Sequence, residues 1–221
     1  MVDDPADPPA DRTGDGTVAA PPRSSAPAGG AILVSNHASY IDAFVLMAAL
    51  ERRFALTVKA EVFAYPFVGR IARLLGHVPI FRSSVGGSLA AYRAAQEAAS
   101  KGKIIHFFPE ATFAWAAEIR RFRLGAFALA AEKGLPVYPV AIRGARRVLR
   151  DGEGMPRRAP LEVEVLAPLC APATGRFEKI ARLRETARAA LGAAVGERLV
   201  ESTSIALPEG TPLDPELSKI G

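Results

Sequence analysis

From Ala31 onward, short apolar runs alternate with longer stretches in which apolar residues recur every three or four positions. The runs Ala31 to Ser35, Phe54 to Lys59, His77 to Phe81, Ile104 to Phe108, Val137 to Ile142 and Leu161 to Leu166 read as strands. The intervening stretches, at about Tyr40 to Arg52, Glu61 to Leu75, Gly87 to Ser100 and Leu124 to Lys133, read as helices, followed by a longer one from Arg176 to Val200. Such alternation predicts an α/β fold, a single domain with a largely buried mixed sheet flanked by helices. Residues 1–30 are rich in Ala, Pro, Gly and Asp and lack periodicity, which reads as a disordered leader. The domain then occupies 31–201, and 202–221, with three prolines, reads as a loosely held tail.

Composition narrows the classes. The chain of 221 residues holds one cysteine, Cys170, so an intrachain disulfide framework is excluded. Only His37, His77 and His106 offer imidazole, which weakens a zinc reading. A reducing compartment suits that usage. Met1-Val2-Asp3-Asp4-Pro5 lacks the basic start and apolar core of a signal peptide, and no run of eighteen apolar residues predicts a membrane-spanning helix. The net charge is +5, but residues 1–30 hold five Asp against two Arg, so the remainder carries +8. Phosphate-bearing partners follow from that balance: an anionic lipid surface, a phosphorylated substrate or coenzyme A. No nucleic-acid motif is present, and Trp115 with four tyrosines makes no stacking array.

The chemistry is concentrated where apolar runs end. Asn36-His37-Ala38-Ser39-Tyr40-Ile41-Asp42 follows the first predicted strand. Structurally, Ser39 with Asp42 three residues on reads as a capping box opening Ala43 to Leu50, which leaves His37 unexplained. Five residues of helix turn through about 500°, so the two side chains can meet only with His37 on the loop and Asp42 in the first turn. There Asp42 would fix the imidazole tautomer and stabilise the imidazolium formed when His37 takes a hydroxyl proton. Further clusters follow. Lys59 and Glu61 lead through Pro66 and Gly69 to Phe81 and Arg82, and Arg82 precedes a Gly/Ser-rich helix start suited to an anion. Phe108-Pro109-Glu110-Ala111-Thr112 ends another strand, where Glu110 alone would read as a cap. Val137-Tyr138-Pro139-Val140 reads as a strand entry or edge.

In this order and spacing the clusters resemble the phospholipid and glycerol acyltransferase family typified by 1-acylglycerol-3-phosphate acyltransferases. The N-H-x-x-x-x-D motif is met by Asn36, His37 and Asp42, and the second region by Lys59, Glu61, Pro66, Gly69, Phe81 and Arg82. Of F-P-E-G-T-R-S the chain keeps Phe108, Pro109, Glu110 and Thr112. The later F-[KR]-x-G-A segment is matched by Phe122, Arg123, Gly125 and Ala126, and V-x-P-V by Val137, Pro139 and Val140. The resemblance implies a glycerolphosphate-acyltransferase-like domain. It also implies transfer of a fatty acyl group from acyl-CoA or acyl carrier protein to a hydroxyl of a lipid acceptor, at the cytoplasmic face of the cell membrane. Those thioesters are co-substrates; no other cofactor and no metal is implied. His37 and Asp42 are the implied catalytic pair, with Asn36, Lys59, Arg82, Glu110, Thr112, Phe113 and Arg123 as substrate-binding positions.

The chain also departs from the pattern. Ala111-Thr112-Phe113-Ala114 stands where the family has Gly-Thr-Arg-Ser, so Phe113 replaces an arginine that resembles a phosphate ligand. Either Arg82, Arg120, Arg121 or Arg123 takes over the phosphate, or the acceptor has none. A non-phosphate acceptor, such as a lyso-aminolipid or glycolipid, a non-catalytic lipid-binding relative and a His/Asp hydrolase are the competing readings. Arg143, Arg146, Arg147 and Arg150 recur at i, i+3, i+4 and i+7. If helical, they form one basic stripe, either a solvated face or an anionic-lipid contact.

Overall fold

The structure, a computed structural model, describes residues 30–50, 53–80, 85–112, 116–149, 155–170 and 177–200, of which 85–88 are described by backbone only. Its centre is a six-stranded sheet. In chain order its strands are β1 (Ala31–Ser35), β2 (Ala55–Lys59), β3 (Val78–Ile80), β4 (Ile104–Phe107), β6 (Val137–Arg143) and β7 (Glu162–Val165); β5 (Glu118–Ile119) and β8 (Arg198–Leu199) form a separate two-stranded ribbon. The spatial order is β3-β2-β4-β1-β6-β7, parallel throughout except that β7 runs antiparallel to β6. This is the mixed α/β sheet the alternation predicts.

Period-two alternation divides each central strand between two cores. Ile32, Val34, Ile105, Val137 and Ala141 face α3 (Val85–Ser100), α4 (Gly125–Lys133) and α6 (Phe177–Val195), which contribute Ala95, Phe127, Ala130, Ala187 and Leu191. Leu33, Ile104, Val140 and Ile142 face the other way, against Leu46 of α1 (Asp42–Ala49). β1 is central, and all five of its residues are buried, so the loop leaving its carboxyl end is anchored on a rigid strand.

The structure corrects three expectations. Glu61 to Leu75 is not one helix but a 3₁₀ turn, Ala60–Ala64, followed by α2 (Pro66–Leu74). The break falls at Tyr65 (φ −74°, ψ 128°), because a residue before proline is driven out of the helical region. Pro66 then occupies the first helical position, where its missing N–H is harmless. The last helix ends at Val195 rather than Val200: Gly196 takes φ +71° and turns the chain so that Arg198 and Leu199 pair with Glu118 and Ile119.

The arginine stripe is the third correction. Arg143 ends a strand, and Arg146 and Arg147 lie in the short helix α5 (Ala145–Val148), so Arg143 shares no helix face with them. Arg143 instead pairs with Glu162 and Glu164, each at 2.8 Å, and Arg146 with Glu197 at 3.1 Å. Arg150, the leader, the tail, Arg82 and Phe113 lie outside the described residues.

Candidate active site

The loop from Asn36 to Ile41 leaves the carboxyl end of β1 and enters α1, and a single carboxylate organises it. Asp42 Oδ2 accepts the N–H of Ala38 at 2.7 Å, the N–H of Ser39 at 2.9 Å and Nδ1–H of His37 at 2.9 Å. Half of the predicted capping box is present, the acid reaching back to Ser39 N–H. The other half is absent: Ile41 is the N-cap, and Ser39 Oγ donates to Leu149 O at 2.6 Å while accepting from Ile41 N at 3.3 Å. Ser39 thus ties the loop to the segment after α5.

The His37–Asp42 contact sets the tautomer. A carboxylate already receiving two backbone N–H bonds acts as acceptor, so Nδ1 carries the proton and the basic lone pair is on Nε2. Asp42 is fully buried, while the His37 side chain keeps 14% exposure. The imidazole lies flat on Phe108, with ring centroids 3.9 Å apart and planes 18° from parallel, so two partners fix both its rotation and its tilt.

Beneath Phe108 sits His106, fully buried and edge-on to it at 4.6 Å. Its Nε2 meets Ser35 Oγ at 2.9 Å, and burial, reinforced by His37, pushes it down to about 3. His106 is therefore neutral, and no second positive charge stands below the base.

Glu110 braces the site from the turn after β4, the strand beside β1. One carboxylate oxygen accepts His37 N–H at 2.9 Å and the other accepts Arg120 N–H at 2.9 Å. Burial pushes it up to about 7, opposed by those two backbone bonds. With both oxygens engaged and 6% exposure, Glu110 holds the backbone of the base in place. Asn36 is also bonded to backbone: its amide donates to Ile142 O at 2.9 Å and accepts from Ile142 N at 2.8 Å, closing β1 onto β6.

The remaining predicted positions are less converged. Lys59 is exposed at the end of β2, two strands from β1 but on the same sheet edge. Thr112 and Arg123 are exposed as well, and Arg123 contributes its N–H to Pro109 O at 2.9 Å, which holds the turn carrying Glu110. Ala111 takes φ +64° in that turn, a left-handed conformation unusual for a residue with a Cβ.

Arg188 of α6 is a supporting residue that sequence reasoning missed. Buried to 8% exposure, it donates to Ile119 O at 3.1 Å, to Arg120 O at 3.0 Å and to Val200 O, and so clamps the strap whose Arg120 N–H reaches Glu110. A signal existed: Arg184 and Arg188 fall beside the apolar stripe Leu183, Ala187, Leu191, where a solvated charge is out of place.

A carboxylate-oriented imidazole thus stands at the carboxyl edge of the parallel strands. The family model described as Acyltransferase matches residues 19–143, more than half of the chain, a span that includes His37, Asp42 and the substrate-binding positions expected from the sequence. The chain belongs to the Acyltransferase family. This acyltransferase-family chain is 30% identical over 149 residues to a chloroplastic 1-acyl-sn-glycerol-3-phosphate acyltransferase of Arabidopsis thaliana, covering 67% of the chain and 41% of that protein. It is 28% identical over 141 residues to the corresponding enzyme of Neisseria gonorrhoeae, covering 64% of the chain and 52% of that protein. The match thus spans about two fifths to one half of those relatives' length. The crystal structure of the 1-acyl-sn-glycerophosphate acyltransferase from Thermotoga maritima shares the fold, with a TM-score of 0.65 at 21% identity over 76% of the chain and 68% of that structure.

Proposed function

We propose that the chain is an O-acyltransferase moving a fatty acyl group from an acyl-CoA or acyl-carrier-protein thioester to a hydroxyl of a lysophospholipid or glycerol-phosphate-type acceptor, at the inner face of the cell membrane. The observation that carries this reading is the His37 Nδ1 to Asp42 Oδ2 contact at 2.9 Å, with Oδ2 itself fixed by two backbone N–H groups. His37 Nε2 takes the acceptor's hydroxyl proton as that oxygen attacks the thioester carbonyl. The tetrahedral intermediate collapses, the carbon–sulfur bond breaks, and the leaving thiolate takes the proton back from the imidazolium. Asp42 compensates the transient positive charge, and no acyl-enzyme forms. The relatives named for the same reaction support it.

A second reading, an acceptor without a phosphate monoester, is favoured by Phe113 standing where the family pattern has arginine. Thiol release from acyl-CoA and from acyl carrier protein, measured with lysophosphatidic acid, glycerol 3-phosphate and unphosphorylated acceptors, separates the two. His37→Ala is the control. Loss of a general base removes about 10²–10⁴-fold in rate. Acceptor-dependent release that survives His37→Ala within a few-fold would remove the assignment, and acceptor-independent release would mark a hydrolase.

A further inference from the structure

The large apolar side chains of α2 face outward and its small ones face in. Phe67, Val68, Ile71, Leu74 and Leu75 are 84, 53, 56, 78 and 54% exposed, whereas Gly69 and Ala72 are buried. At 100° per residue the five fall on one stripe about 120° wide. The inward face is seated on the preceding 3₁₀ turn so tightly that a Cβ on Gly69 would lie 2.3 Å from Phe63 O. A helix of a soluble domain normally turns its large apolar residues to the core, and α2 does the reverse along its length. α1, which leaves the same end of the sheet, also exposes Phe44 at 67% and Met47 at 39%. Single exposed apolar residues are ordinary, but a contiguous stripe marks a contact surface.

Topology ties this surface to the site. β1 and β2 both run parallel to β4, so their carboxyl ends lie on one sheet edge. The His37 loop and α1 leave β1 there, and the 3₁₀ turn leading to α2 leaves β2 there directly. The charges identify the occupant. Arg70 and Arg73 are exposed on α2 beside the stripe, Arg73 also donating to Phe63 O at 2.7 Å, and the helix carries no acid. A two-fold dimer through this face would set those arginines against their own copies. Anionic headgroups would neutralise them while their aliphatic stems extend the apolar face.

We propose that the exposed stripe of α2 is the surface by which this protein lies in the interface of an anionic lipid bilayer, holding the His37 edge of the sheet toward the membrane. This deepens the reading of a lipid acceptor and rests on it. The test is sedimentation of the full chain with vesicles of phosphatidylcholine alone or mixed in equal parts with phosphatidylglycerol. Wild type partitions to the mixed vesicles, more weakly at high salt. The double variant Phe67→Glu, Leu74→Glu loses about 100-fold or more in partition. Arg70→Glu, which breaks no contact among the described residues of the domain, weakens binding to mixed vesicles and leaves binding to phosphatidylcholine vesicles unchanged. Both variants keep wild-type acyl transfer to a water-soluble short-chain acceptor, which reports the reaction independently of the surface. Wild type that ignores vesicles, an apolar-to-Glu variant that binds as wild type does, or a wild-type dimer abolished by Phe67→Glu without vesicle binding would each overturn the proposal.

Discussion

Glu110→Gln tests whether the carboxyl bracing His37 changes charge near neutrality. The native carboxyl accepts two backbone N–H bonds, one per oxygen, from His37 and Arg120. Glutamine supplies one acceptor and places an NH₂ against the other donor, so one bond is lost and a buried N–H is left facing a donor, worth about 1–3 kcal/mol. The pH dependence is the sharper signature. Burial raises the native carboxyl from 4.5 to about 7, which corresponds to about 3 kcal/mol between its charged and neutral forms. Because the folded-state value lies above the unfolded one, native protein holds this proton more tightly. Its contribution is full below about pH 4.5 and is lost as pH rises through about 7. Between pH 5 and pH 8, wild type should therefore lose about 2–3 kcal/mol that Glu110→Gln does not lose. Urea unfolding of both proteins across that range measures it, since other titrating groups cancel in the difference. A wild-type-minus-variant difference that stays constant, or grows with pH, would mean that the N–H bonds from His37 and Arg120 outweigh burial and keep the carboxylate ionised throughout.

Three further outcomes are expected. In Asp42→Asn the amide oxygen can replace Oδ2 and keep all three hydrogen bonds, while its NH₂ lands where Oδ1 is buried without a partner. Acyl transfer should fall about 10²-fold or more for want of the compensating charge, and stability by about 1–3 kcal/mol in calorimetry; unchanged kcat would remove Asp42 from the mechanism. Asn36→Ala strands the N–H and C=O of Ile142 in a buried site and should destabilise the domain by about 2–5 kcal/mol in urea unfolding, a loss that a surface substrate ligand would not produce. Ala111→Gly relieves the Cβ strain at φ +64° and should raise stability by about 1 kcal/mol, or Tm by about 2–4 °C; a lower Tm would show that the turn is held without strain.

The strands, most of the helices and the His37–Asp42 pair were legible in the chain itself, because local rules govern them. Five consecutive buried residues in β1 write an apolar run, and a base that must meet an acid five residues away requires a loop followed by a first helical turn. Local reading also explains its own misses at Tyr65 and Gly196. A proline and a glycine inside apolar-periodic stretches outweigh the periodicity on either side of them.

What tertiary structure alone decided is the work of long-range partners. Glu110 and Asn36 look like ligand groups in a motif, yet the partners of their side chains lie 10 to 106 residues away and are backbone groups. Arg143 and Arg146 look like a basic stripe until β6 and β7 pair and Glu162, Glu164 and Glu197 arrive to neutralise them. The apolar stripe of α2 is visible as periodicity, but periodicity has no sign. Whether such a face points into a core or out to a partner depends on what packs behind it, and Gly69 and Ala72 turn it outward by letting the opposite side seat closely.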